Sequence, residues 1–136
     1  IVPVDKKDAP LYYAGYLHSD TTNPSGYAFL TASKGYSSTI RTMVGIDTSG
    51  HIRRIQILSQ QETPGLGTKC EEIKSGESEP WWQKQFINKL STSVALKKDG
   101  GGIESLTGAT VTSRAITDGI RQKAKSVLKT IEKNNS

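Results

Sequence analysis

The strongest constraint on the fold of this 136-residue chain is a single apolar stripe near its C terminus. From Val111 onward, apolar residues recur every three or four positions, as they do on one face of an α-helix. The stripe consists of Ile116, Ile120, Ala124, Val127, Leu128 and Ile131. The lysines of this segment fall largely off the stripe. The pattern predicts one long amphipathic helix whose apolar face must be covered by another layer of structure.

Two strands joined by a tight turn are predicted upstream of this helix. In residues 38–47, alternate positions are apolar or Thr, and these positions share one face of a strand: Ile40, Thr42, Val44 and Ile46. Residues 48–50, Thr-Ser-Gly, are typical of a hairpin turn. Residues 52–59 continue as the second strand. Both of its faces mix apolar and polar residues, so alternation leaves its inward face undecided.

Shorter segments complete the predicted fold, after residues 1–10, which we interpret as an N-terminal linker. We predict strands at 11–17, 27–32 and 93–96, a helical turn at 68–74, and a helix at 80–90. Strands that precede and surround a few helices indicate the α+β class. We therefore expect residues 11–136 to form a single domain, with a twisted, mostly antiparallel sheet, flanking helices and a long C-terminal helix.

Composition excludes several classes of function. The net charge is +5, but the aromatic residues do not alternate with the basic ones, so we predict no nucleic-acid binding. Cys70 is the chain's one cysteine, which excludes an internal disulfide and a cysteine-based metal cluster, and we interpret it as a buried apolar residue. His18 and His51 lack ligand-like spacing, so no metal site is expected. No stretch of apolar residues is long enough to span a membrane.

The segment just before the predicted helix combines small residues with hydroxyls. Thr107, Gly108 and Ala109 allow close approach of a ligand to the backbone, and Thr110, Thr112 and Ser113 follow where the helix begins. Free amides and a partial positive charge at a helix N terminus suit a phosphate group. Ser and Thr at this position are also ordinary helix caps, so the segment alone leaves both interpretations open.

A second informative segment, Glu-Thr-Pro-Gly-Leu-Gly at residues 62–67, follows the predicted hairpin. Pro64-Gly65 is typical of a type II turn, since Gly accepts the positive φ that this turn requires. Such a turn would expose Leu66 and the neighbouring amides. On its own the segment is equally consistent with a plain loop between a strand and a helix.

Together the two segments are specific. The chain resembles the FMN-binding domain family, which includes the G subunit of the Rnf electron transport complex and the C subunit of the sodium-translocating NADH:quinone reductase. Residues 107–113 match the family pattern Ser/Thr-Gly-Ala-Thr-x-Thr-Ser, and residues 62–67 match Glu-Thr-Pro-Gly-Leu-Gly in full. The hairpin around residues 45–52 is also similar, and the resemblance covers roughly residues 26–132.

The resemblance implies a covalently held flavin. Thr110 would be esterified to the FMN phosphate by a dedicated flavin transferase that uses FAD as donor. Glu104 lies where that enzyme's target usually has Asp. Thr112 and Ser113 would hydrogen-bond the phosphate, and Thr63 and Leu66 would flank the isoalloxazine ring. The full set of implied cofactor-binding residues is Glu62, Thr63, Gly65, Leu66, Thr107, Gly108, Ala109, Thr110, Val111, Thr112 and Ser113.

The implied function is electron carriage within a membrane ion-translocating oxidoreductase, with no catalytic residues of the chain's own. We expect the domain on the extracytoplasmic side of the cell membrane, anchored by an N-terminal helix outside this chain, and in contact with the other subunits of the complex. The alternative is a redox or sensory FMN module of another extracytoplasmic reductase or regulator. A flavin-free domain that binds anions is a third, disfavoured hypothesis.

Three further residues have two interpretations each. Trp81 or Trp82 could stack on the flavin, although core packing is favoured. Arg114 could neutralise the phosphate or lie at the first exposed position of the helix.

Overall fold

The computed structural model describes residues 2–4, 12–16 and 22–134. Within these residues, five strands form one antiparallel sheet in the order of the sequence. They are β1 (Val2–Val4), β2 (Tyr12–Gly15), β3 (Gly26–Lys34), β4 (Thr39–Asp47) and β5 (Ile52–Ser59). A single long helix, α1 (Thr110–Asn134), ends the described part of the chain. The predicted α+β fold with an antiparallel sheet and a long C-terminal helix is therefore confirmed.

The helix packs across the sheet by its predicted apolar stripe. Ile116, Ile120, Ala124 and Val127 are fully buried, together with Val44 of β4. Gly119 brings the helix close to β3, because a Cβ at this position would collide with the Ser33 Oγ. The helix therefore passes close above β3 at this point.

A β-bulge explains why the pattern of β5 is mixed. Gly45 is opposite Arg54 and Ile46 is opposite Ile52, so Arg53 is an extra residue in the ladder. The phase of alternation changes there, and Ile52 and Ile55 both face the core. The residues predicted to share one face of β4 do so, since Ile40, Thr42, Val44 and Ile46 are all buried.

The segment between β5 and α1 differs most from expectation. A 3-10 helix of four residues, Gln83–Phe86, replaces the helix predicted at 80–90. The chain then pairs with β5, since the Asn88 amide donates to the Ile52 carbonyl at 2.7 Å. The strand predicted at 93–96 is wrong, because Ser91–Ser93 is a 3-10 turn and Leu96 makes an isolated bridge to Ile103. The helical turn predicted at 68–74 is a 3-10 helix at Gly67–Glu71.

Two other expectations concern the N-terminal part of the chain. Val2–Val4, which we interpreted as part of a linker, pair with β2 as the edge strand of the sheet. Residues 5–11 and 17–21 lie outside the described residues. In the described part of the chain, no helix has the length and apolar character needed to cross a membrane.

Candidate functional site

The two segments singled out in the sequence meet at the start of α1. The Thr112 hydroxyl donates a hydrogen bond to the Glu62 carboxylate, with an Oγ1 to Oε1 distance of 2.6 Å. Leu66 packs over Gly108, so closely that a Cβ on Gly108 would lie 3.1 Å from the Leu66 Cδ2. Fifty residues of sequence separate Glu62 from Thr112, and the fold brings them into direct contact.

Each segment is built around a tight turn with glycine at its third position. In the first turn, the Leu66 amide donates to the Thr63 carbonyl at 3.0 Å, and Gly65 has a φ of +76°. In the second, the Ala109 amide donates to the Leu106 carbonyl at 3.0 Å, and Gly108 has a φ of +75°. Positive φ at the third position is the requirement of a type II turn. The turn predicted at Pro64-Gly65 is confirmed.

A cleft of about 490 Å³ lies between the two turns. Its lining consists of Tyr36, Thr63, Leu66, Gly67, Gly108, Ala109, Thr110, Val111 and Thr112. Three of the apolar side chains at this cleft are exposed: Tyr36 by 72%, Val111 by 49% and Leu66 by 40%. Large apolar side chains gathered around an open cleft are typical of a binding site for a ligand with an apolar surface.

The N terminus of α1 forms one wall of this cleft. The Ser113 amide donates to the Ala109 carbonyl, four residues earlier, at 3.0 Å. The amides of Thr110, Val111 and Thr112 come before this helical hydrogen bond, in the first turn of α1, where amides have no carbonyl partner within the helix. These amides and the helix dipole produce a partial positive charge. The half-buried Thr110 hydroxyl accepts a hydrogen bond from the Lys98 ammonium at 3.4 Å. The arrangement suits an anionic group at Thr110.

Glu62 ties three segments together beneath the cleft. The buried carboxylate accepts hydrogen bonds from the Tyr36 amide at 2.8 Å, the Ser37 amide at 3.2 Å, and the hydroxyls of Ser38 and Thr112. Burial acts to raise the pKa of Glu62, but these four donors outweigh it and lower the pKa to about 2. The ionised carboxylate therefore holds the β3–β4 turn, the Thr63–Leu66 turn and the start of α1 in one arrangement.

The structure places the predicted site residues in two groups. Seven line the cleft: Thr63, Leu66, Gly108, Ala109, Thr110, Val111 and Thr112. Four do not line it: Glu62, Gly65, Thr107 and Ser113. Glu62 lies beneath the cleft, Gly65 shapes the first turn, Thr107 is exposed, and Ser113 is buried under the second turn.

The hydroxyls of Thr112 and Ser113 differ from expectation. Each was predicted to donate to a phosphate, but each has one proton, and that proton goes to an internal acceptor. Thr112 donates to Glu62, and Ser113 donates to the Ala109 carbonyl at 2.9 Å while accepting from the Leu106 amide at 2.8 Å. In this structure both side chains hold the second turn and the helix start in place.

Three residues at the site were missed in the sequence: Tyr36, Gly67 and Lys98. Tyr36 lies in the turn between β3 and β4, far from either motif, and gave no signal. Gly67 ends the first motif, and any side chain there would clash, since a Cβ would lie 2.5 Å from the Glu62 Cβ. Lys98 follows Lys97 directly, and nothing in the sequence indicates that the fold brings one of these two lysines close to Thr110.

The tryptophans and Arg114 do not take part in the cleft. Trp82 is fully buried, and its indole N–H donates to the Glu104 carbonyl at 2.6 Å. The indole of Trp81 donates to Glu72 at 3.1 Å. Trp82 belongs to the hydrophobic core and the partly buried Trp81 packs against it, as the packing interpretation predicts, and neither ring lines the cleft. Arg114 is held by both oxygens of Asp99, at 2.8 and 3.1 Å.

Among the described residues, no group of three or more His, Cys, Asp or Glu side chains could hold a metal ion.

Cys70 is fully buried, as expected. Burial raises the pKa of its thiol to about 12, and the nearby charges of Glu71 and Glu62 act in the same direction. The thiol is therefore protonated and shielded from reaction.

Comparison with known protein families identifies the chain as a flavin domain. The model of the FMN-binding domain matches residues 35–125, which is more than half of the chain, and the chain belongs to this family. It is 39% identical over 112 residues to the G subunit of the ion-translocating oxidoreductase complex of Pasteurella multocida, covering 82% of this chain and 55% of that protein. It is 41% identical over 101 residues to the protein of the same name in Shewanella amazonensis, covering 74% and 47%.

The chain thus spans about half the length of the curated relatives it matches. Among solved structures, that of Shewanella oneidensis NqrC is similar, with a TM-score of 0.61 over 88% of this chain and 60% of that chain. At 18% identity, this likeness establishes the shared fold alone.

Proposed function

We propose that this chain holds FMN covalently through a phosphoester to Thr110 and carries electrons within an Rnf-like ion-translocating oxidoreductase complex. The observation that carries the proposal is the position of Thr110. Its hydroxyl lies at the first residue of α1, in the wall of an open cleft completed by the Glu-Thr-Pro-Gly-Leu-Gly turn. The name shared by the two bacterial relatives favours this function over a sensory or regulatory module.

The residues present fit FMN in size and chemistry. A cleft of about 490 Å³ lies within the range that encloses ligands of cofactor size. Leu66 and Val111 offer apolar surface to a flat ring, and Thr63 offers a hydroxyl to its polar edge. The helix amides at Thr110–Thr112 suit the phosphate. FMN, when bound, supplies reversible electron transfer, and the protein's part is to position it.

Attachment requires one substitution reaction at a phosphorus atom of FAD, in which the Thr110 oxygen replaces AMP. The Thr110 oxygen attacks the phosphorus that bears the riboflavin half of FAD, and a new P–O bond forms. The bond from that phosphorus to AMP breaks, AMP leaves, and the hydroxyl proton passes to solvent or to a base of the flavin transferase. The product is a phosphodiester with one negative charge, located where the helix dipole favours it.

The proposed setting is the extracytoplasmic side of the cell membrane. An N-terminal membrane helix outside this chain would anchor the domain beside its partners in the complex. The cleft opens at the protein surface, where the side chains of Tyr36, Leu66 and Val111 are exposed. A flavin in it would stay accessible to the redox centre of a partner protein.

Co-expression with a flavin transferase tests the proposal. After denaturing electrophoresis, the protein band should fluoresce under ultraviolet light, because only a covalently held flavin survives denaturation. The same chain expressed without the transferase should give a dark band. A dark band in both cases, with the transferase shown to load another substrate, would contradict covalent attachment.

Replacement of Gly108 should impair loading. In Gly108→Ala, the new Cβ meets Leu66 and narrows the cleft beside Thr110. We expect flavin loading to slow about tenfold, since small displacements of reacting groups cost large factors in rate. The measurement is the fraction of loaded protein against time by intact mass.

Gly76→Ala is the matched control for this change. Gly76 also has a positive φ, +84°, but a Cβ there has nothing within 4 Å, and Gly76 does not line the cleft. Both variants should lose about 1 kcal/mol of stability from backbone strain. Equal loading rates in the two variants would show that the contact between Gly108 and Leu66 does not shape the site.

A further inference from the structure

We propose that Lys98 is a positioning residue for the flavin phosphate, pairing its ammonium group with the phosphodiester formed at Thr110. The inference rests on the proposed function. Lys98 lies in the exposed 3-10 turn Lys97–Asp99, twelve residues before Thr110. Its Nζ is 3.4 Å from the Thr110 Oγ1, the atom that would bond to phosphorus.

The neighbouring cations already have partners. Arg114, one helical turn beyond Thr110, is held by both oxygens of Asp99. Lys97 pairs with Glu104 at 2.8 Å. Within the part of the chain that the structure describes, Lys98 has no carboxylate at ion-pair distance. Its charge therefore remains available to an anion at Thr110.

The turn that presents Lys98 is held in place by hydrogen bonds and by tight packing of its backbone. The two hydrogen bonds from Arg114 to Asp99 tie the turn to α1. Gly100 closes it in the left-handed conformation, with a φ of +93° and its amide donating to the Lys97 carbonyl at 3.2 Å. Gly101 packs so tightly that a Cβ would collide with the Ala95 carbonyl oxygen. The backbone of Lys98 is thus held beside the helix start.

The distance suits a phosphoester better than the bare alcohol. A hydrogen bond of 3.4 Å from an ammonium to a neutral hydroxyl is long. The terminal oxygens of a phosphodiester at Oγ1 would lie two bonds further out and would share one full negative charge. A small rotation of the lysine side chain would then give a short, charge-assisted hydrogen bond.

Loading kinetics provide the first test. At limiting flavin transferase, Lys98→Met should load about fivefold more slowly than the wild type, the effect of one charge-assisted hydrogen bond at an exposed position. Lys98→Arg retains the charge and should stay within about twofold of the wild type. Lys125→Met removes an equal charge from an exposed part of α1 far along the chain and should load normally.

A second readout separates contact with the phosphate from a structural role. After complete loading with excess transferase, the phosphorus-31 resonance of Lys98→Met should differ from that of the wild type, whereas Lys125→Met should match it. Wild-type loading rate and an unchanged resonance in Lys98→Met would overturn the inference. Failure of the wild type to load at Thr110 would instead overturn the proposed function, so the two failures are distinguishable.

Discussion

Glu62→Ala is expected to lower the free energy of unfolding by about 3 kcal/mol, because it leaves four donors without their acceptor. These donors are the amides of Tyr36 and Ser37 and the hydroxyls of Ser38 and Thr112. Removal of the buried side chain also leaves space beneath the cleft. Chemical denaturation of the two proteins measures the effect.

Glu71→Ala is the matched control for this variant. Glu71 is also a glutamate close to the first turn, but it is exposed and accepts one side-chain hydrogen bond, from Gln60. Its replacement should change stability by less than about 0.5 kcal/mol. Similar losses in both variants would contradict the role assigned to the Glu62 network.

The same carboxylate makes stability depend on pH. The folded protein holds the pKa of Glu62 at about 2, below the value of 4.5 of a free glutamate. Because the pKa is lowered on folding, the ionised Glu62 contributes its full share to the free energy of unfolding above pH 4.5 and loses it as the pH falls toward 2. This difference in pKa between the folded and unfolded protein corresponds to about 3 kcal/mol of stability.

Glu62→Gln isolates this contribution, because glutamine does not titrate. The side-chain NH₂ group of glutamine would also face the amides and hydroxyls that donate to Glu62, and two facing donors cannot form a hydrogen bond. The stability difference between wild type and variant should therefore be large at about pH 7 and shrink steadily below about pH 4.5. A difference that stays constant down to about pH 3 would show that the Glu62 network does not act through the ionised carboxylate.

Thr110→Val is expected to abolish covalent flavin attachment. Valine has nearly the shape of threonine but no hydroxyl, so no phosphoester can form. The fold should survive, since Thr110 is half-buried and its hydroxyl contacts the exposed Lys98. Co-expression with the transferase should give a non-fluorescent band on a denaturing gel and an unshifted intact mass.

Thr48→Val controls for the loss of a threonine hydroxyl elsewhere in the fold. Thr48 is exposed in the turn between β4 and β5 and does not line the cleft. Its variant should load flavin to completion. Full loading of Thr110→Val would show that another residue is the point of attachment.

The main elements of this fold could be predicted because their patterns are local. The stripe of α1 and the alternation of β4 each follow from the repeat of one element, and both predictions are confirmed. The inward face of β5 could not be decided, because a bulge at Arg53 changes the phase of alternation within the strand. A bulge depends on how two strands pair, which neither strand's own pattern contains.

The helix predicted at 80–90 was wrong for a tertiary reason. The residues after Phe86 form hydrogen bonds with Ile52 at the start of β5, and Asn88 takes a positive φ of 69°. These contacts hold the backbone out of a helix. Local propensity gave no indication of this pairing, because the partner lies in an earlier strand of the sheet.

The site was only partly predictable. The two motifs meet at one cleft, and seven of the predicted residues line it. The hydroxyls of Thr112 and Ser113 were assigned to a ligand because a sequence cannot show which acceptor a buried hydroxyl finds. Lys98 and Tyr36 were missed because each lies in a loop that is positioned by residues distant in the sequence. The loop of Lys98 is held by the hydrogen bond between Arg114 and Asp99, and the loop of Tyr36 is held by the Glu62 carboxylate.

Peptide mapping by mass spectrometry tests the central claim most directly. After co-expression with the transferase and proteolysis, the peptide that contains Thr110 should be heavier by the mass of FMN less one water, and fragmentation should place the added mass on Thr110. An unmodified Thr110 in protein that still holds flavin after denaturation, or the added mass on any other residue, would contradict the account.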